Sequence, residues 1–252
     1  VVANGRFEPV MQVVAPAAVD LSAVAAQANT LLAGSLTIQA YDPVTDETFS
    51  RVVPPETWGS WLRGAGTDGQ FDWSLGETVL AEYGQAWAAE WGEERFVDDV
   101  EMKTAVTNAV ISHNPSAAVR VYHPSRSHVV QSGETLSSIG RNYGIPYPWI
   151  QEANPGLETL SIGQTIAIPS PDEMIPLPVP ANKRIVVNMA QQRAWVYEKG
   201  ALKWEWPVST GIASSLTAPG VFQIQSHEPN AYAGIWDLWM PSFMGIYRPV
   251  PT

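Results

Sequence analysis

Acidic side chains form the densest group of chemically active residues in the chain. They are five carboxylates close to residue 100: Glu93, Glu94, Asp98, Asp99 and Glu101. A glycosidase needs two carboxylates that face each other across a cleft, one of them with a raised pKa. Carboxylates that are adjacent in sequence at a helix start instead interact with the positive end of the helix dipole. We therefore interpret this group as a solvated face rather than an acid–base pair.

Other nucleophiles and metal ligands are scarce. None of the 252 residues is Cys, which excludes a disulfide framework, a Cys-ligated metal and a Cys nucleophile within this sequence. His113 and His123 have no second ligand at metal spacing, so we predict surface or loop positions for both. Ser209 and Thr210 lack the Gly-x-Ser-x-Gly elbow of a serine nucleophile. Nothing in the sequence requires a metal or a cofactor, and we predict none.

The charge is distributed unevenly along the chain. The formal net charge is −11, of which residues 1–124 carry −10, residues 125–170 carry −1 and residues 171–252 carry none. An acidic chain repels phosphate backbones, so nucleic acid is not an expected partner. No apolar run reaches the roughly 18 residues that a membrane span needs. No signal peptide is recognisable in these residues, and an upstream anchor is left open.

Two breaks in the sequence agree with this division. His123–Ser127 is short and polar, and residues 169–180 contain five prolines. Because proline fixes φ and removes a backbone donor, the second break is expected to be extended and semi-rigid, not helical. The predicted units are an N-terminal domain over 1–124, a second domain over 127–170, a Pro-rich linker over 171–182 and a third, incomplete domain over 183–252.

The first unit has an α+β pattern. We predict helices over 20–32, 54–62 and 101–111, and strands over 35–41 and 118–122, from apolar periodicity and from helix start and stop residues. This order, with its segment PPETWGSWL, resembles the YoaR-like peptidoglycan-binding domains. The resemblance implies an accessory wall-binding role. An unrelated protein-interaction domain is the alternative.

A weak internal repeat lies within this unit. The order helix, strand, Tyr-x-Pro occurs at 20–43 and again at 101–124. Few residues are identical between the two copies, so the repeat is only suggested.

The second unit predicts a strand–helix–helix–strand order. Strands are expected over 128–131 and 165–168, and helices from Glu134 and over 149–154, where Asn154 precedes a proline. The segments VVQSGETLSSIG, ANPGL and LSIGQTIAIP resemble a LysM domain over the whole unit. This resemblance implies a small βααβ fold that binds N-acetylglucosamine-containing glycans such as peptidoglycan or chitin.

The resemblance also implies where the sugar binds. The groove is expected between the first strand–helix loop and the second helix–strand loop, where backbone amides and carbonyls could bind an N-acetyl group. The implied residues are Gly133, Glu134, Thr135 and Leu136 in one loop and Asn154, Pro155, Gly156 and Leu157 in the other. These same residues could instead only cap helices and close turns. A single LysM copy is expected to bind weakly.

The sequence of the third unit predicts an antiparallel sheet. Alternation predicts strands over 185–189, 194–198, 202–208 and 220–225, with a hairpin turn at Gly200. The segments QQRAWVYEKG, VSTG and TAPGVF resemble the opening half of the L,D-transpeptidase (YkuD-type) catalytic domain. The resemblance implies a Cys thiolate that attacks a peptidoglycan stem peptide and passes the acyl group to a second stem.

The motifs that carry this chemistry in the family are absent from the 252 residues. There is no Cys, no His is followed by Gly, and we interpret His227 as a loop residue. We therefore expect these residues to be inactive by themselves and the catalytic segment to follow Thr252. The fold class is α+β multidomain, and the expected setting is the cell envelope of a bacterium, with peptidoglycan glycan strands and stem peptides as partners. A non-catalytic wall-binding protein is the alternative.

Overall fold

The computed structural model describes most of the chain. The described residues are 2–3, 6–7, 25–26, 29–30, 32–67, 70–92, 94–212, 217–234 and 236–246. Within them the helices are α1 (Pro55–Trp58), α2 (Glu77–Ala88), α3 (Asp99–Ile111), α4 (Leu136–Tyr143) and α5 (Tyr147–Glu152), with short 3-10 turns at Gly59–Trp61, Ala89–Trp91 and Pro171–Met174. The strands are β1 (Val2–Ala3), β2 (Arg6–Phe7), β3 (Leu36–Asp42), β4 (Glu47–Val53), β5 (Leu62–Thr67), β6 (Gln70–Leu75), β7 (Phe96–Val97), β8 (Ser116–Tyr122), β9 (Arg126–Val129), β10 (Thr165–Ile168), β11 (Lys183–Asn188), β12 (Arg193–Glu198), β13 (Ala201–Pro207), β14 (Ser226–Ala233) and β15 (Leu238–Gly245).

The N-terminal unit is built on a four-stranded sheet. Its strand order is β4-β3-β8-β7, and β3 and β8 run parallel with Thr37 opposite Ser116. Alternate residues of both strands, such as Ile38 and Val119, are buried because successive side chains point to opposite faces. Helices α2 and α3 cover the buried face with Leu80 and Met102 in the same core. The parallel pairing places the carboxyl ends of β3 and β8 side by side.

Most predictions for this unit are confirmed. The strands predicted over 35–41 and 118–122 correspond to β3 and β8, and the helices predicted over 54–62 and 101–111 correspond to α1 with its 3-10 extension and to α3. Asp98 accepts a hydrogen bond from the Glu101 backbone N–H, which caps α3. Of the helix predicted over 20–32, residues 25–26 and 29–30 are helical and most of the remainder lies outside the described residues.

The second unit has the predicted βααβ order. Strands β9 and β10 pair antiparallel, with Val129 opposite Thr165, and α4 and α5 lie between them in the chain. Ile139, Ile150 and Ile166 are fully buried in a core of their own. Helix α4 starts at a capping box in which Thr135 and Ser138 exchange side chain-to-backbone hydrogen bonds, and it ends at Gly144 in the left-handed conformation. The first strand lies two residues earlier than predicted.

The Pro-rich stretch is not extended along its whole length. Pro171–Met174 forms a 3-10 turn that starts where the Ser170 hydroxyl accepts the Asp172 backbone N–H. Met174 and Ile175 are buried in the core of the second unit. The prediction of a non-helical linker is therefore wrong for this part, because two large apolar side chains gain more from burial than from exposure in a spacer. The domain boundaries themselves stay a prediction.

The third unit contains a three-stranded meander and a hairpin. Strands β11, β12 and β13 pair antiparallel in sequence order, and β14 pairs with β15. The predicted turn between β12 and β13 is confirmed, with Lys199 and Gly200 both at positive φ.

Two predictions for the third unit are wrong. The segment 220–225 is not a strand, because Val221 and Phe222 pack against the core of the second unit instead of joining a ladder. His227 is not a loop residue but lies in β14 opposite Met244. The register of this hairpin is set by the turn near residue 236, which a local pattern around His227 does not contain.

Candidate functional site

The two predicted groove loops border one core. Leu136 and Leu157 are half-buried and pack against the core of the second unit from the two loops. Gly133 and Gly156 both have a φ of 82°, and a Cβ added at either would meet no atom within 4 Å. Both loops therefore expose backbone that no side chain covers, which suits close approach of a ligand.

The first loop is braced by a carboxylate. Glu134 accepts a hydrogen bond from the Gln131 backbone N–H at 2.7 Å, and the same oxygen lies 2.7 Å from His128 Nε2. These bonds, the Gln131 N–H first, lower the pKa of Glu134. The other ring nitrogen of His128 lies 3.1 Å from the Tyr143 hydroxyl. Glu134 thus joins the loop to β9 and α4, and its braced oxygen is occupied within the protein.

The second loop is fixed by an amide side chain. Asn154 Nδ2 donates to the carbonyls of Ile150 at 2.7 Å and Ala167 at 2.8 Å, while Oδ1 accepts the Ala167 N–H at 2.8 Å. These bonds tie the end of α5 to β10. Pro155 and Gly156 remain exposed beside it. The arrangement makes Asn154 a residue that shapes the loop.

Sequence reasoning missed His128 and Tyr143 as parts of this site. Neither belongs to a predicted groove loop, and they meet Glu134 only when β9, the loop and α4 have folded together. Arg126 adds to the same cluster, because its guanidinium lies 4.8 Å from the centre of the Tyr143 ring. His128 and Glu134 are six residues apart. Within a single strand or a single helix, this spacing would not predict a contact between their side chains.

A second polar cluster lies where the N-terminal and second units meet. Asp42 is fully buried, and its Oδ2 lies 3.0 Å from Arg95 Nε and 3.3 Å from His123 Nε2. On the other side of the ring, His123 Nδ1 lies 3.5 Å from Asp172 Oδ2. Asp172 Oδ1 also pairs with Arg120 Nη2 at 2.8 Å. His123 lies in the loop between β8 and β9, as the loop alternative of the prediction had it, but its side chain is only 12% exposed and does not lie on the open surface.

The pKa values of the titratable groups in this cluster are shifted by burial and by their charged neighbours. Burial opposes a charge on His123, but the facing carboxylates of Asp172 and Asp42 outweigh burial and raise its pKa to about 9. Burial would likewise raise the pKa of Asp42, but the His123 ring and the backbone N–H groups of Thr45 and Val44 lower it to about 2. The pKa of Asp172 is also lowered. The imidazolium therefore lies between two carboxylates at neutral pH.

This second cluster contains no reactive hydroxyl. Ser170 is adjacent, but its Oγ donates to the His123 backbone carbonyl at 2.7 Å and not to the ring. A nucleophile would need its hydroxyl against the imidazole. The repeated Tyr-x-Pro motif was the sequence signal that could have located this cluster. Asp42 and His123 are the middle residues of its two copies, which lie at the adjoining ends of β3 and β8.

The third unit holds one tightly bonded loop. Gln192 Oε1 accepts the Thr210 N–H at 2.8 Å, its Nε2 donates to the Thr210 hydroxyl, and the Gly211 N–H donates to Thr217 Oγ1 at 2.7 Å. Among the described residues, Ser209 makes no side-chain hydrogen bond to a histidine.

Metal clusters and membrane-spanning helices were sought within the described residues. Among those residues, no group of three or more His, Asp or Glu side chains could hold a metal ion. Within the same ranges, every helix is too short or too polar to cross a bilayer.

Comparisons with known proteins cover the second and third units. Residues 128–169 match the family model of the LysM domain, and residues 182–250 match that of the L,D-transpeptidase catalytic domain. A Bacillus licheniformis relative that carries the name L,D-transpeptidase YkuD is 30% identical over 113 residues, which cover 44% of this chain and 66% of the relative. The match thus spans just under two thirds of that relative's length.

Two solved structures also resemble the chain. One is an Enterococcus faecium L,D-transpeptidase mutant, with 16% identity and a TM-score of 0.34 over 88% of this chain and 75% of that one. The other is the Ldtfm–avibactam carbamoyl enzyme, with 15% identity and a TM-score of 0.32 over 89% and 73%. Similarity at this level carries no argument about the fold.

Proposed function

We propose that the chain belongs to a bacterial L,D-transpeptidase that acts on peptidoglycan in the cell envelope, because residues 128–169 match the LysM family model and residues 182–250 match that of the L,D-transpeptidase catalytic domain. The observation that carries the proposal is the order of the two matched segments in one chain, a glycan-binding family followed by a stem-peptide cross-linking family. In this proposal the LysM domain raises the local concentration of the catalytic domain at its polymeric substrate.

Glycan binding is assigned to the two exposed loops. Gly133 and Gly156 leave backbone uncovered on either side, and Leu136 and Leu157 offer apolar surface to a sugar face. Hydrogen bonds within the protein occupy the side chains of Glu134, Thr135 and Asn154. Their main role in this proposal is therefore to hold the loops in place. The ligand class is a glycan that contains N-acetylglucosamine.

Two substitutions test the groove. We expect Gly133→Glu and Leu157→Glu each to weaken binding to chitin oligomers, measured by titration calorimetry, by at least about tenfold, the 1.4 kcal/mol that a lost apolar contact or a clash provides. Gly163→Glu is the matched control for glycine, because Gly163 also has a positive φ, at 80°, and open space around a Cβ. Leu160→Glu is the control for leucine, since Leu160 is half-buried against the same core. Equal binding by the groove and control variants would exclude this groove.

Catalysis is proposed for the protein to which these 252 residues belong. In the proposed reaction a Cys thiolate attacks the acyl carbon of a donor stem, D-alanine leaves as the amine, and the amine of a second stem takes the acyl group and releases the thiolate. None of the 252 residues can supply the thiol. A Ser/Thr-His-Gly-Cys motif in the encoded sequence within about 80 residues after Thr252, the remainder of one domain of ordinary size, is the expected finding.

The absence of Cys also supports one alternative, a wall-binding protein whose transpeptidase-like domain is inactive. A stop codon, or a continuation without Cys, would favour this alternative over the enzyme. The YoaR-like, wall-binding role of residues 1–124 is a separate proposal. A pull-down of that unit with purified peptidoglycan tests it, and no retention would favour a spacer or protein-contact role.

A further inference from the structure

All three units of the chain meet at one turn. The turn Pro43–Asp46 follows β3 of the N-terminal unit, and its Val44 packs against the core of the second unit. Arg184 of β11, in the third unit, donates to the Pro43 carbonyl at 2.7 Å and lies 3.5 Å from the Asp46 carboxylate. The turn therefore has apolar contact on one side and an ion pair on the other.

Charged groups cross the same junction. Asp42, Arg95, Arg120 and His123 come from the N-terminal unit, whereas Asp172 comes from the segment that packs into the second core. Arg120 Nη1 also donates to the Ile175 carbonyl at 2.7 Å, and the His123 backbone N–H donates to Asp172 Oδ2 at 2.5 Å. We call these five side chains the junction cluster.

From this geometry we propose that the junction cluster locks the N-terminal unit and the LysM domain into one rigid body, with a fixed angle between them. Domains joined by a short linker usually move relative to each other unless the interface between them is extensive. Here the interface is held by ionic groups that are largely removed from water, and separating the units would leave Asp42 and Asp172 without their partners. The proposal concerns the junction only and does not depend on the function proposed above.

His123 is the group of the junction cluster whose titration above neutral pH can release the lock. The His123 ring faces the carboxylates of Asp42 and Asp172, and each of these also pairs with an arginine, Arg95 or Arg120. Deprotonation of the ring removes the positive charge between the two carboxylates and leaves them facing a neutral group. The raised pKa of His123, about 9, places this change above neutral pH. Arginines stay charged throughout this range.

The absence of Cys makes a distance measurement simple. Glu56→Cys on α1 and Gln151→Cys on α5 place one thiol on the exposed surface of each unit, with no other thiol in these 252 residues. Labelling with a donor and an acceptor dye then gives the distribution of inter-unit distances by single-molecule energy transfer. Asp172→Asn removes the carboxylate charge that faces His123 and Arg120 across the junction. Glu82→Gln, on the exposed face of α2, removes one negative charge away from the junction and is the matched control.

The expected result is one narrow distance distribution at pH 6 for the unsubstituted pair and for Glu82→Gln. Asp172→Asn should broaden the distribution at pH 6, and raising the pH to 9.5 should broaden it without any substitution in the junction cluster. Far-ultraviolet circular dichroism checks that both units stay folded. If Asp172→Asn unfolds the protein, the pH comparison of the unsubstituted pair decides. A narrow distribution at both pH values would overturn the proposal, as would a narrow distribution in folded Asp172→Asn.

Discussion

Replacing His123 with Gln should remove a pH-dependent part of the stability of the chain. In the folded protein the pKa of His123 is raised to about 9 from an ordinary value of 6.5. A group with a raised folded pKa contributes stability that is fully present below the unfolded pKa and is lost as the pH rises through the folded pKa. The contribution of His123 is therefore complete below about pH 6.5 and lost by about pH 9.5.

The size of this contribution follows from the shift in the pKa. At about 1.4 kcal/mol for each pKa unit, the rise from 6.5 to about 9 corresponds to about 3 kcal/mol, half of which is lost by about pH 8. Solvent screens these ionic interactions weakly, because the His123 side chain is only 12% exposed. Three other groups with strongly shifted pKa values titrate outside the range from pH 6.5 to 9.5. The pKa of Asp42 is lowered to about 2, and those of Tyr41 and Tyr122 are raised to about 12.

The assay is urea unfolding followed by circular dichroism at pH 6.0, 8.0 and 9.5 and constant ionic strength. We expect the free energy of unfolding of the wild type to fall by about 3 kcal/mol over this range. His123→Gln should start lower by about the same amount at pH 6.0 and show no such fall. His113→Gln is the control, because His113 is exposed on a turn and should keep the wild-type slope. Parallel pH profiles for the wild type and His123→Gln would refute the reasoning.

Three further substitutions test the second unit and its contact with the third unit. Thr135→Ala breaks the capping box of α4 and should lower the free energy of unfolding by about 1 kcal/mol in urea, whereas no loss would mean that the box contributes little. Asn154→Ala removes one hydrogen bond to the Ile150 carbonyl of α5 and two to Ala167 of β10, so it should cost about 2–4 kcal/mol and weaken chitin-oligomer binding together with stability. Weakened binding at unchanged stability would instead make Asn154 a direct ligand contact. Gly220→Ala would place a Cβ 2.3 Å from the Gly144 carbonyl oxygen, so it should lower the melting temperature, and an unchanged melting temperature would show that the two segments are not packed together.

The elements that could be predicted have local signals. Helix α4 is bounded by Thr135 and Gly144, and the turn of the third unit is marked by Lys199 and Gly200, so each of these is specified within a few residues. Apolar alternation likewise located β3 and β8. The groove residues were predicted from a resemblance over one short unit, and the structure shows which of them, such as Asn154, shape the loops.

Predictions failed where a distant part of the chain supplies the partner. Residues 220–225 alternate like a strand, but Val221 and Phe222 pack into the core of the second unit. The proline-rich stretch suggested an extended spacer, but Met174 and Ile175 are buried in that same core. Both outcomes depend on apolar surface contributed by residues far away in the sequence, which no local pattern can reveal.

The sequence alone determined the local elements, the LysM-like unit and the absence of a thiol, because each of these depends on neighbouring residues or on composition. Only the tertiary structure decided the role of His123, a loop residue whose side chain is largely buried. The parallel pairing of β3 and β8 brings it to Asp42, and the burial of Met174 brings Asp172 to its other side. The charge state of the ring, and with it the strength of the junction, depends on these long-range contacts.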